Sequence, residues 1–91
     1  MNAPRPHEIV FTFHSTHGAM AGEQALLTGG MAVRVMALPS SLGAGCGLCL
    51  RVAHADLEAS RRLLAGAGIE PEGIFAKSID CGVPTYCAVS I

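Results

Sequence analysis

At 91 residues, 51% of them apolar, the chain has material for one compact domain with its own core and not for two. Six basic residues against seven acidic give a net charge of −1, and there is no Trp, one Tyr and three Phe. That balance excludes the basic stripe and stacking platform of a nucleic-acid binder and the basic patch of an anionic-membrane binder. Charged residues make up only 14% of the chain, low for a fully solvated monomer, so part of the surface is expected to be buried against a partner, with homo-oligomers included.

Residues 1–7, with Pro4 and Pro6, read as a flexible lead-in. They lack the long apolar stretch of a signal peptide, and no run approaches the length of a membrane span, so a cytoplasmic location without membrane contact is expected. Glu8–His14, EIVFTFH, predicts a strand with Ile9, Phe11 and Phe13 on one face and Val10, Thr12 and His14 on the other. Ser15 or Thr16 offers an N-cap to a helix from about Gly18 to Thr28, with Met20 and Leu27 on its buried face and Gly29-Gly30 as its stop. Ala32–Leu38 is the second strand and Pro39 ends it. Ser40–Gly47 is a loop of small residues, and Leu48–Ala53 is the third strand. Asp56 opens a second helix with Leu57 and Leu64 on its inner stripe, which Gly66 to Gly68 stops, and Ile74–Ile79 is the fourth strand.

The order strand, helix, strand, strand, helix, strand predicts an α+β, ferredoxin-like split βαβ sandwich (βαββαβ). It implies a four-stranded antiparallel sheet with two helices on one face, over residues 8–79. Residues 80–91 form a tail. Asp80–Pro84 reads as a turn and Thr85–Ile91 alternates like an extra C-terminal edge strand.

In this topology strands one and two point the same way with strand three between them. The end of strand one, the start of helix one and the loop between strands two and three then share one end of the domain. His14, Ser15, Thr16 and His17 are thereby expected near Gly45-Cys46-Gly47. A helix start exposes unpaired N–H groups and partial positive charge, which favour an anion such as a thiolate. The glycines about Cys46 allow close backbone approach and aim N–H groups at a ligand. Arg51, on the face away from the helices with Cys49, could add positive charge or hydrogen bonds, as could His14 and Ser15. Cys46 is therefore the leading reactive residue, with Gly45, Gly47, Arg51, His14 and Ser15 as binding residues and Cys49 and Cys87 as second thiols.

Competing readings follow from the same residues. Four cysteines in a reducing cytosol favour reactive or metal-binding thiols over disulfides. Cys46, Cys49, Cys81 and Cys87 would suffice for a tetrahedral zinc. The spacing of the second pair is looser than a knuckle, and the fold can stand without metal, so neither metal nor cofactor is expected. Cys46 and Cys49 form a CxxC, but the motif runs into a strand and not into a helix, which weakens a dithiol oxidoreductase reading. Glycines in a strand-to-strand loop also make ordinary turns, and Cys49 and Arg51 also suit a subunit contact.

The segments FTFHSTHGAMAGEQALL and VRVMALPSSLGAGCGLCLR carry a resemblance to a known family, the small selenium/sulfur carrier protein-like domains, over roughly Ile9 to Phe75. His14, Ser15, Thr16, His17, Ala19, Met20 and Glu23 stand where that family has its strand end, His-Ser-Thr segment and helix start. Pro39, Cys46, Gly47, Leu50 and Arg51 stand where it has its proline, Cys-Gly and closing Leu-Arg. Ser40 replaces an arginine frequent in the family. The resemblance implies a carrier that accepts sulfur or selenium on Cys46 as a persulfide or selenosulfide. It also implies a cysteine desulfurase-like donor and an acceptor protein as partners. The alternative is a non-catalytic metal-binding, ligand-binding or assembly module on the same fold.

Overall fold

A computed structural model of the chain describes residues 8–39, 42, 47–80 and 83–89. Strand β1 is Glu8–Thr12, helix α1 Thr16–Thr28, β2 Arg34–Ala37, β3 Leu48–Ala53, α2 Leu57–Gly66, β4 Gly73–Asp80 and β5 Val83–Ala88. The result is an α+β domain with two helices and a five-stranded antiparallel sheet in the order β2-β3-β1-β4-β5. The sheet therefore has five strands and not four, because the C-terminal segment pairs along β4 from Phe75↔Ala88 to Asp80↔Val83. As expected, β1 and β2 run parallel to each other with β3 antiparallel between them.

Alternation along the strands decides which residues enter the core. Ile9, Phe11 and Phe13 from β1 and its extension, Leu50 and Val52 from β3, and Ile74 from β4 form one cluster with Ala19 and Leu26 of α1 and Leu64 of α2. Burying apolar area of this kind is the main stabilising term, worth roughly 1.5–3 kcal/mol per large side chain. The opposite face carries Val10, Arg51 and Phe75 in one cross-strand row and Thr12, Cys49 and Gly73 in the next.

Helix α1 corrects the expected buried face. Met20 and Leu27 are 51% and 48% exposed, and the buried residues are Ala19, Gly22 and Leu26. The reason is close approach. A Cβ placed on Gly22 would lie 3.0 Å from Phe13 Cζ and 3.1 Å from Leu50 Cδ1, so the helix rests on the sheet through its small residues. Both helices end as their glycines predict. The Met31 N–H donates to the Leu26 carbonyl and the Ile69 N–H to the Leu64 carbonyl, each at 2.9 Å. These wide bonds close a helix end when Gly30 and Gly68 take positive φ. Helix α2 begins at Leu57 with Asp56 in its N-cap position, where the sequence placed its start. A single 3₁₀ turn, His54–Asp56, precedes it, and Asp56 makes no side-chain capping bond.

Strand β5 makes a measurable statement, because its pairing places it in the sheet for six residues. Amides of residues 85–88 that bond to β4 should be protected in hydrogen exchange. Complete exchange within seconds would show that this strand does not persist in solution.

Candidate functional site

The antiparallel order gathers several chain ends at one edge of the domain. Thr12 is opposite Cys49 on one side and Gly73 on the other, while Met36 and Ala37 are opposite Cys49 and Leu48. The end of β1, the end of β2, the start of β3 and the start of β4 thus meet. The β2–β3 ladder continues one step further, where the Leu38 N–H donates to the Gly47 carbonyl at 2.9 Å. Gly47 is exposed and has φ +82°, a conformation that strains any residue with a Cβ. This explains one of the two glycines beside the cysteine. Gly45 and Cys46 lie outside the described residues, as does Cys81.

Ser15 opens α1 at this same edge. Its backbone is extended, φ −140° and ψ 156°, and its Oγ accepts the Gly18 N–H at 3.0 Å. The first turn holds no acidic side chain, so nothing from the helix itself neutralises the partial positive charge there. Ser15→Ala should cost about 1 kcal/mol of stability by removing the cap. Urea unfolding checks this, and a variant as stable as the parent would show that the cap contributes nothing.

The other proposed residues fall into different surroundings. His14 is exposed, with Nδ1 3.5 Å from Glu72 Oε2. Glu72 is held in turn by its N–H to the Thr12 carbonyl at 2.6 Å. Cys49 is 3% exposed, and its Sγ donates to the Ala37 carbonyl at 3.8 Å. Arg51 lies two residues further along β3, where its Nε is 3.0 Å from Glu8 Oε2; Lys77 Nζ reaches the other oxygen of Glu8 at 3.5 Å. Its guanidinium is therefore directed along the sheet toward the start of β1, away from the Gly47 end. Cys87 is exposed on β5, opposite Ala76. Strands β1 and β4 lie between β5 and β3, a separation of about 14 Å at the usual strand spacing.

The structure thus brings His14, Ser15, Gly47 and Cys49 to one end, and sets Arg51 and Cys87 apart from it. It adds Glu72 and Glu8, which sequence reasoning missed. Glu8 becomes visible only when the β1–β3 register places it diagonal to Arg51, and Glu72 only when the chain before β4 is seen to return beside β1. Among the described residues no three His, Cys, Asp or Glu side chains converge on a metal-sized site. No described helix is long and apolar enough to cross a membrane.

These features define a small α+β domain in which Gly47, the residue after Cys46, stands at the same edge as the N-terminus of α1. Residues 8–76 match the sequence model of the family described as "Putative Se/S carrier protein-like", and the chain belongs to that family. The match ends within β4, so β5 lies beyond it. A curated relative, "Uncharacterized protein YtiA" of Escherichia coli (strain K12), is 46% identical over 43 residues, which cover 47% of this chain and 51% of the relative. The chain thus matches about half the length of that relative. No solved structure matches the chain.

Proposed function

We propose that this protein carries sulfur or selenium on Cys46, taking it from a donor enzyme and passing it to an acceptor. The observation that carries the reading is the family match over residues 8–76, which spans both the helix start and the Cys46 loop. Geometry supports it. Chain connectivity keeps Cys46 one residue from Gly47, and Gly47 stands at the edge where Ser15 caps α1. The finer fold reading, a ferredoxin-like sandwich, agrees with the strand order and belongs to the same proposal.

The chemistry is thiol exchange. The Cys46 thiolate attacks the terminal sulfur of a persulfide on the donor. The S–S bond of the donor breaks, its thiolate leaves, and a persulfide anion forms on Cys46 with no net oxidation. The anion would be held by backbone N–H groups of the glycine loop and the α1 start, with His14 beside it. Arg51 would act one row away, fixing the sheet through Glu8. A carrier of this kind has no need of a large substrate pocket, which suits the domain's size.

The test is intact-protein mass spectrometry after incubation with a cysteine desulfurase and cysteine. A gain of one sulfur atom per chain, removed by a thiol reductant and located on Cys46, is expected. Failure to load under conditions that load a known acceptor would reject the reading. The dithiol alternative is disfavoured by the burial of Cys49 on the strand, which leaves its sulfur poorly placed to attack a disulfide.

A further inference from the structure

Among the described residues the exposed large apolar side chains are Met20, Leu27 and Met36, at 51%, 48% and 37%. They gather on two neighbouring elements, α1 and β2. Helix α1 has three occupied sides. Ala19, Gly22 and Leu26 rest on the sheet. Ala21, Ala25 and Thr28 line the groove shared with α2. At 100° per residue, Met20 and Leu27, seven positions apart, fall together on the flank away from α2, with half-buried Glu23 between them. Leu27 also lines a cleft with Ala32, Val33 and Arg34, so this flank overhangs β2.

Strand β2 is the outermost strand of the described sheet on that side. Its hydrogen bonds alternate in direction. The Leu38 N–H donates inward to Gly47, and Leu38, Met36 and Arg34 share that parity. The N–H groups of Val35 and Ala37 and the carbonyl of Val35 therefore point away from β3, toward the free edge. Along this edge, residues 31–39 hold a single charged residue, Arg34. Val33 and Val35 are half-buried and pack on the core, which continues the apolar flank of α1 down to the strand.

We infer that a second copy of this chain docks on this edge, β2 against β2 and α1 flank against α1 flank. The inference is independent of the carrier reading. Antiparallel pairing of one edge with its own copy puts the twofold axis perpendicular to the sheet, so the helices of both copies stay on the same face. The Met20–Leu27 stripe of each copy then meets that of the other. Centred on Val35, the pairing lets each Val35 N–H donate to the other copy's Val35 carbonyl. Arg34 then lies opposite the other copy's Met36 and not opposite its own counterpart, which avoids a like-charge pair. A strip that is apolar, nearly uncharged and self-complementary in this way fits its own copy, whereas a strongly charged partner finds nothing there to match. The strip runs about 20 Å along the thirteen residues of α1, which limits the interface to the small class below about 1,200 Å² in all and makes the dimer reversible. The low charged fraction of the chain, 14%, agrees with a surface part of which is covered.

Sedimentation equilibrium over a concentration series is the test. The molar mass should rise from one chain to two and stop there, with a dissociation constant in the micromolar range. Met20→Glu and Leu27→Glu should each weaken the dimer about tenfold or more, because each would bury a carboxylate against apolar surface. Ala37→Pro removes an outward N–H without touching the β2–β3 ladder and should also shift the chain to monomer. Ala59→Glu, on the exposed side of α2, should leave the dimer unchanged. Circular dichroism and urea midpoints establish that the variants fold. In hydrogen exchange, the Val35 and Ala37 amides should gain protection as concentration rises. A chain that stays monomeric, a dimer indifferent to all three strip substitutions, masses climbing past two chains, or concentration-dependent protection on β5 in place of β2 would overturn the inference.

Discussion

Cys46→Ser should abolish sulfur loading altogether while leaving the unfolding midpoint unchanged. A serine hydroxyl is a poor nucleophile near neutral pH, whereas a thiol with a reference pKa of about 8.5 already has a few per cent thiolate, and a nearby helix start raises that fraction. The described core is drawn from β1, β3, β4 and the two helices, and Cys46 stands between two glycines in a stretch of small residues, so its substitution is expected to cost little stability. Cys49→Ala serves as the partner experiment. Cys49 is buried at 3% exposure, so this variant should lose some stability yet still load one sulfur per chain. Site-resolved alkylation adds a kinetic check: Cys46 should react faster than Cys49 across the neutral range. Loading retained by Cys46→Ser, or lost by Cys49→Ala in a folded variant, would move the chemistry to another thiol.

Phe11→Ala should destabilise the protein by about 3–5 kcal/mol, a large part of the usual total of about 5–15 kcal/mol. Phe11 has no exposure and sits on the central strand, between Leu50 on β3 and Ile74 on β4. Its ring belongs to the same cluster as Ala19 and Leu26 of α1 and Leu64 of α2, so its loss leaves a cavity that touches both layers. Urea denaturation followed by circular dichroism measures the change. A loss below about 1 kcal/mol would mean that the core does not pack as described.

The strands were legible in the sequence because β1 and β3 alternate cleanly. Leu48–Ala53 is found with the bounds its pattern predicts, and Ile9, Phe11, Leu50 and Val52 all enter the core. The inner face of α1 was not legible, for a physical reason. Periodicity favours large apolar residues, and here Met20 and Leu27 point outward, while Ala19 and Gly22 allow the helix to approach Phe13 and Leu50. At the site, local signals sufficed where function depends on neighbours in sequence: Ser15 reads as a cap and is one. Arg51 shows the limit. Its alternation gave the correct face, but its partner is Glu8, 43 positions away, and only pairing register reveals it.

Strand β5 has a bearing on how the protein behaves when crowded or newly made. Without it, β4 would end the sheet as an eight-residue ribbon containing Ile74, Phe75 and Ile79, with its outward N–H and C=O groups open to any passing strand. Such an edge is a template for amyloid-like growth. The chain's own tail occupies that template, and the border it offers instead is six residues long and carries Pro84, which has no N–H to donate. At the other border β2 is only four residues long and carries the exposed charge of Arg34. A chain cut back to residue 80 should therefore form fibres more readily, and its aggregation would be a property of the missing border and not of a weakened core.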